Sequence, residues 1–358
     1  MQLIKRRPFD PTGGCFLAQA CYARLMPAAP SRLTPPSSPS RSTALKICLA
    51  FFLIAAAPIK TASADGTLPI WREIFARPPT GISQIPAPPD NPLTREKIRL
   101  GQTLFADTRL SGAGNRSCAT CHDADRDYTD GRARAKPIDG KTRLANTPTL
   151  FNLAWAGRFF WDGRANSLEE QAPFPIEHPQ EMAGSWGAIL SRLSADRALD
   201  EQLRKAFPHN PEPTKANIVA ALASFERSLV SPLTRFDEFV SGKTASLSRL
   251  EQQGFALFVG KAGCVSCHSG WRFTDDRLHR TGLSRQAMKT PTLRGLSSTA
   301  PFMHDGSRNS IREVIAHYAG LPQDDPTLSP NLIRPMQLSA YDTMALIAFI
   351  KSIDERSP

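Results

Sequence analysis

Two Cys-x-x-Cys-His motifs, Cys118-Ala-Thr-Cys121-His122 and Cys264-Val-Ser-Cys267-His268, constrain this 358-residue chain more than any other feature. Two cysteines three positions apart on a helical turn reach the two vinyl groups of one porphyrin, and the histidine that follows projects to the iron. Of the seven cysteines, Cys15, Cys21 and Cys48 precede residue 65, so the other four all lie in the motifs. None is left over for the disulfides that exported proteins ordinarily carry. A structural zinc site also uses Cys-x-x-Cys pairs, but it leaves the following histidines unexplained and the motifs lie far apart. A thioredoxin-like pair needs a βαβ pattern around it, which is absent. The expectation is two covalently bound haem c groups, one on Cys118, Cys121 and His122 and one on Cys264, Cys267 and His268.

The formal net charge of +11 looks like an invitation to an anionic partner until it is followed along the chain. Residues 1–64 carry +7 of it, and four haem propionates would bring the remaining +4 close to neutral. No Arg/Lys stripe with interleaved aromatics follows residue 64, so no nucleic-acid partner is expected. Residues 47–57 form a short apolar run, preceded by Arg41 and Lys46 and followed by Ala62-Ser63-Ala64. That is the layout of a secretory signal peptide ending near Ala64, too short for a stable membrane anchor, and it predicts a periplasmic protein. Residues 1–43 are rich in Pro, Ser and Arg, and a start at Met26 or beyond is an alternative reading of this leader.

Residues 65–92 hold seven prolines and read as an extended arm. Thr94 caps a predicted helix from Arg95, with Ile98, Leu100, Leu104 and Phe105 at helical spacing. Residues 123–150 are polar and turn-rich, as expected of a haem-wrapping loop. Helical patterns return at 186–206, 215–230, Ser248–Val259, 310–320 and 339–352, and no alternating strands stand out. The order helix, motif, loop, further helices occurs twice. The predicted fold is all-α, with two cytochrome-c-like haem domains over 93–240 and 241–358 and a boundary near 232–246.

Two haems alone suit an electron carrier. The residues around them add more. Phe160-Trp161-Asp162-Gly163-Arg164, Ser167-Leu168-Glu169-Glu170-Gln171, Pro175 and Glu181-Met182 resemble the bacterial di-haem cytochrome c peroxidase and MauG family. So do Arg109-Leu110-Ser111-Gly112, Ala145-Asn146-Thr147-Pro148 and Phe225-Glu226-Arg227. Lys289-Thr290-Pro291-Thr292-Leu293-Arg294 and Ala300-Pro301-Phe302-Met303-His304-Asp305-Gly306 complete a resemblance that spans residues 90–352 in order.

The resemblance implies that the N-terminal haem is the peroxide site, with Glu181, Gln171 and Pro175 in its distal pocket. It implies Trp161 between the haems, and an inter-haem Ca²⁺ on Asn146 and on the carbonyls of Thr299 and Pro301. Taken alone, Glu181 is a helix-start acid, Trp161 a core residue and Asn146 a turn residue. At the position where many of the peroxidases have a methionine as sixth ligand of the C-terminal haem, this chain has Tyr318, as MauG-like proteins do. A phenolate favours oxidised iron, whereas a thioether favours ferrous iron. His317 is the rival ligand, followed by Met288, Met303 and Met336. Residues 123–150 contain no histidine to block the first iron.

One departure stands out. MauG has a hole-relaying tryptophan just before its second motif, where this chain has Lys261, Ala262 and Gly263; Trp271 follows the motif instead. MauG's particular substrate is therefore not implied, and Trp271 reads as a structural residue; the resemblance implies hydrogen peroxide as substrate and oxidation of some periplasmic protein. The alternatives are a peroxidase fed by a small redox donor protein, and a non-catalytic di-haem electron carrier.

Overall fold

The computed structural model describes residues 74–75 and 82–354. The expected leader, signal peptide and most of the Pro-rich arm lie outside the described residues.

The chain is mainly helical, and its helices begin where side chains can cap them. Helix α1 (Arg95–Phe105) starts after Thr94, whose hydroxyl accepts the Lys97 N–H at 3.2 Å. The expected helix over 186–206 is two, α4 (Trp186–Ser194) and α5 (Arg197–Ala206), after the short α2 (Leu168–Gln171) and α3 (Pro173–Glu177). The break falls at Asp196, whose carboxylate accepts the N–H groups of Ala198 and Leu199 and so starts a new helix. Helix α6 (Lys215–Ser228) is capped by Thr214. Helices α8 (Arg249–Val259) and α10 (Ala340–Ser352) open on capping boxes, Ser248 with Glu251 and Ser339 with Asp342. Helix α9 (Ile311–Ala319) follows Ser310.

Helix α7 (Arg235–Val240) has no counterpart in the sequence reading, which expected a domain boundary at 232–246. Its Phe236, Asp237, Phe239 and Val240 are buried. The period of a six-residue helix is too short to register in a hydrophobic pattern. Two strands were also not anticipated, β1 (Leu278–His279) and β2 (Met288–Lys289), which pair antiparallel with Leu278 opposite Lys289.

Buried apolar side chains gather in two main clusters. One runs from Leu100 to Leu229 and takes in α1, α4, α5 and α6. The other takes in Phe236 to Ile353 together with Phe75, whose ring meets Phe236 and Phe255 edge-on. The described part of the Pro-rich arm thus places an aromatic side chain in a core. Each cluster has a helix crossing built on glycine. A Cβ at Gly101 of α1 would collide with the carbonyl of Ala221 in α6, and one at Gly254 of α8 with the carbonyl of Ala345 in α10. Helices α1 and α8 each lie ahead of a Cys-x-x-Cys-His motif in the chain, so the same kind of close crossing occurs before both motifs. Among the described residues no helix is long and apolar enough to cross a membrane.

Candidate functional site

The two motifs have one local geometry. Each begins with a single 3-10 turn, Cys118–Thr120 or Cys264–Ser266, and in each the histidine N–H returns to the first cysteine carbonyl at 2.9 Å. The turn brings both cysteines and the histidine to one side. The His122 Nδ1 donates to the Tyr128 carbonyl at 2.8 Å and the His268 Nδ1 to the Phe273 carbonyl at 2.9 Å. With Nδ1 carrying the proton, Nε2 keeps its lone pair for a metal. Burial lowers the pKa of both imidazoles, which keeps them neutral as ligation requires. Phe273 and Tyr128 both adopt positive φ, 54° and 61°, so each carbonyl acceptor comes from a left-handed residue. None of Cys118, Cys121, Cys264 and Cys267 is in a disulfide, and all four are partly buried.

Beside the second motif lies a cavity lined by Cys264, Cys267, His268 and Tyr318 with Ile315, Leu321 and Leu346 among its apolar walls. Its apolar lining and donor set fit a haem. Burial raises the pKa of the Tyr318 phenol, the first cause being loss of water around its oxygen. His317, the expected rival, faces elsewhere: its Nε2 donates to the Thr281 carbonyl at 2.7 Å and its Nδ1 lies 3.4 Å from the Arg308 guanidinium. Met288 and Met336 share the cavity with Tyr318, and Met303 lines a different one. His279 also lines this cavity, ion-paired at 2.8 Å to Asp275, a bond that pushes its pKa up to about 10.

Near the first motif the decisive segment is the loop after α3. Burial raises the pKa of the Cys121 thiol, and the nearby carboxylates of Asp130 and Glu181 add to it. Burial raises the Glu181 pKa in turn, opposed by His178 and Arg164. The loop is pinned by backbone contacts: Gly112 donates its N–H to Met182 at 2.8 Å, and Gly184 donates to Ile176 at 2.6 Å. A Cβ at Gly112 would strike the Ala183 carbonyl, and one at Gly184 would lie 2.6 Å from the Leu110 carbonyl. Arg116, which sequence reading passed over, ties these parts together by donating to the carbonyls of Lys136 (2.8 Å), Pro137 (3.3 Å) and Glu181 (3.4 Å). Gln171 ends α2, and Pro175 lies in α3 between Gln171 and the Glu181 loop. Helix α2 is held from below: Glu169 takes a bidentate bond from Arg227 at 2.6 and 2.5 Å and another from Asn91 at 2.7 Å.

Asn146, Trp161, Thr299 and Pro301 line a single cavity. The Trp161 indole donates to the Asn146 carbonyl at 2.8 Å, and the Asn146 side-chain amide lies 3.1 Å from the Pro301 carbonyl. Lys289 lines both this cavity and the one beside Tyr318, and its backbone N–H binds the Trp161 carbonyl at 2.7 Å. Arg294 also lines the cavity, buried with Asp237 in a pair at 3.0 and 2.6 Å. Its Nε binds the Trp271 carbonyl at 2.6 Å, and the Trp271 ring meets Trp155 edge-on at 5.0 Å. The sequence displays Arg294 in a recognisable motif but gives no sign of Asp237, which lies in the unanticipated α7.

A family model described as di-haem cytochrome c peroxidase matches residues 95–245. The methylamine utilization protein MauG of Methylophilus methylotrophus is 41% identical over 302 residues, covering 79% of this chain and 88% of that protein. The cytochrome-c peroxidase IdrP1 of Denitromonas iodatirespirans is 30% identical over 332 residues, covering 78% and 88%. Among solved structures, a MauG-like protein associated with microbial copper homeostasis superimposes with a TM-score of 0.70 at 29% identity, covering 78% of this chain and 95% of that one.

Proposed function

The chain belongs to the di-haem cytochrome c peroxidase and MauG family, on its MauG-like branch, and on that premise we propose that it reduces hydrogen peroxide at the His122 haem and oxidises a partner protein. As a family member it is an oxidoreductase with two c-type haems. The proposal concerns how its residues divide the work between two haem domains, the first ending and the second beginning near residue 240.

When bound, the haem of His122 supplies the iron at which the O–O bond is cleaved. Cleavage needs a proton moved from the inner to the outer peroxide oxygen. Glu181 takes and returns that proton, Gln171 orients the peroxide by its amide, and Pro175 shapes the wall between them. Trp161 carries charge between the two haem sites. His268 and Tyr318 would hold the second haem's iron, and a phenolate donor there would favour its oxidised state and suit storage of oxidising equivalents. Asn146 and the carbonyls of Thr299 and Pro301 hold a Ca²⁺ that stiffens the region around Trp161. The apolar run at 47–57 and its flanks support export to the periplasm.

The observation that carries this reading is Glu181: a half-buried carboxylate beside Cys121, with its pKa raised by desolvation and no structural hydrogen bond on its side chain among the described residues. A carboxylate whose charged form is disfavoured by burial holds a proton more readily than a solvated one, as a proton carrier must. One experiment tests it. The ferric protein should show a high-spin and a low-spin haem and change spectrum on one equivalent of peroxide. Two low-spin haems indifferent to peroxide would end the proposal. The likeness to IdrP1 supports a second reading, turnover driven by a small redox protein. Fast turnover with a reduced small cytochrome would select it over oxidation of a partner protein.

A further inference from the structure

Reduction of one hydrogen peroxide to two waters takes up two protons with two electrons. The electrons come from the donor or partner protein, and the protons must come from solvent. The groups around Glu181 restrict how they arrive. Arg164, whose charge faces Glu181, and Arg116, bonded to the Glu181 carbonyl, are guanidinium groups that do not give up protons in proteins. Glu177 is held below the usual carboxylate range by its bond from the Lys215 ammonium at 2.6 Å. That leaves His178, which has 42% of its side chain exposed and its Nδ1 at 3.7 Å from the Glu181 carboxylate.

His178 is held in place by its own backbone. Its N–H binds the Phe174 carbonyl at 2.8 Å, and its carbonyl accepts the N–H groups of Glu181 at 3.1 Å and Ala183 at 2.9 Å. The imidazole and the carboxylate, three residues apart, therefore keep their spacing. The same Nδ1 has a second neighbour, the backbone N–H of Gln180 at 3.2 Å. An N–H can only donate, so at that contact Nδ1 acts through its lone pair. A charged imidazole loses the lone pair and gains a donor.

We propose that His178 is the proton port of the Glu181 site, passing protons between solvent and the Glu181 carboxylate. A hydronium ion gives its proton to Nδ1 and leaves as water; the new N–H bond releases the Gln180 amide and serves the Glu181 carboxylate instead. That N–H bond then breaks as the O–H bond forms on Glu181, and the neutral imidazole takes back the Gln180 amide. His178 acts through Glu181 and is a positioning residue. The proposal rests on the reading of Glu181 as the proton carrier.

The test compares wild-type holoenzyme with His178→Asn, which can still accept the Gln180 amide, with His178→Gln as a second variant, and with Glu181→Gln. Peroxide turnover is measured across pH, with and without added imidazole. The histidine variants should turn over about tenfold or more slowly at neutral pH, show a pH profile changed from that of wild type, and regain rate with imidazole. Wild-type rates and pH profile in both histidine variants would overturn the port. If Glu181→Gln is slow while the histidine variants match wild type, the port alone is wrong. If Glu181→Gln itself matches wild type, the reading of Glu181 is wrong and the port goes with it.

Discussion

The indole N–H of Trp161 is bonded to the backbone carbonyl of Asn146 at 2.8 Å, fifteen positions back along the chain. The same asparagine reaches the carbonyl of Pro301 at 3.1 Å and that of Arg132 at 2.9 Å. Any change at Asn146 therefore acts on the orientation of Trp161 through a single shared residue. In an isolated helix or strand these side chains would never meet.

Calcium should stabilise the holoprotein through this cluster. At a hundredfold excess over its dissociation constant, a ligand specific to the folded state contributes about 2.7 kcal/mol. Thermal unfolding with calcium or with a chelator should differ accordingly, and Asn146→Ala should remove most of the difference. An equal calcium effect in the variant would assign the ion to another place.

Tyr318→Phe should abolish the low-spin signal of the second haem and leave the first unchanged, as read by electron paramagnetic resonance. His317→Gln should leave both signals as they are, because that imidazole is committed to Thr281 and Arg308. Tyr318→Met should raise the second haem's reduction potential, since sulfur favours ferrous iron. A low-spin signal that survives in Tyr318→Phe would point to Met288 or Met336, which line the same cavity.

Glu226 is 7% exposed, and burial pushes its pKa up to about 7, with Arg227 pulling down and Glu169 pushing up. Between the ordinary carboxylate value of 4.5 and about 7 the folded state holds a proton that the unfolded chain has released. Its contribution is thus most favourable at low pH and is lost as pH rises to 7. Glu226→Gln should remove that slope, leaving the variant more stable than wild type at pH 8 by on the order of 3 kcal/mol. Calorimetry of both proteins from pH 4 to 8 would check it, and parallel curves would refute it.

The side chains of Arg294 and Asp237 are 1% and 0% exposed. Removing one partner leaves the other charge uncompensated, which costs about 3–5 kcal/mol. Asp237→Asn should show this loss in denaturant unfolding. Because Arg294 also binds the Trp271 carbonyl, the variant should also move Trp271 against Trp155. Replacing both charges with apolar residues of similar volume should recover most of the stability. A loss in the double variant as large as in the single one would show that the pair itself is not the source.

Much of the local structure was legible because its causes are local. Thr94, Ser248, Ser310 and Ser339 announce helix starts through side-chain bonds to residues three ahead. Asp196 is the same kind of signal, but a continuous apolar pattern across 186–206 concealed it. Helix α7 was missed because six residues do not complete two turns, and Phe75 because a proline-rich surrounding hides a single buried ring. Arg116 was missed because an arginine bonded to three backbone carbonyls leaves no partner side chain to find.

The sequence alone pointed to the two proposed haem attachment sites, since thioether and histidine ligation depend on spacing within five consecutive residues. It also carried the helical class and the family resemblance. Tertiary structure decided what those residues face. It turned His317 away and Tyr318 into the cavity beside His268. It set His178 at 3.7 Å from Glu181. It also joined Asp237 to Arg294 across 57 positions. Such contacts depend on loops without periodicity, held by distant carbonyls and glycine crossings, so no pattern along the chain records them.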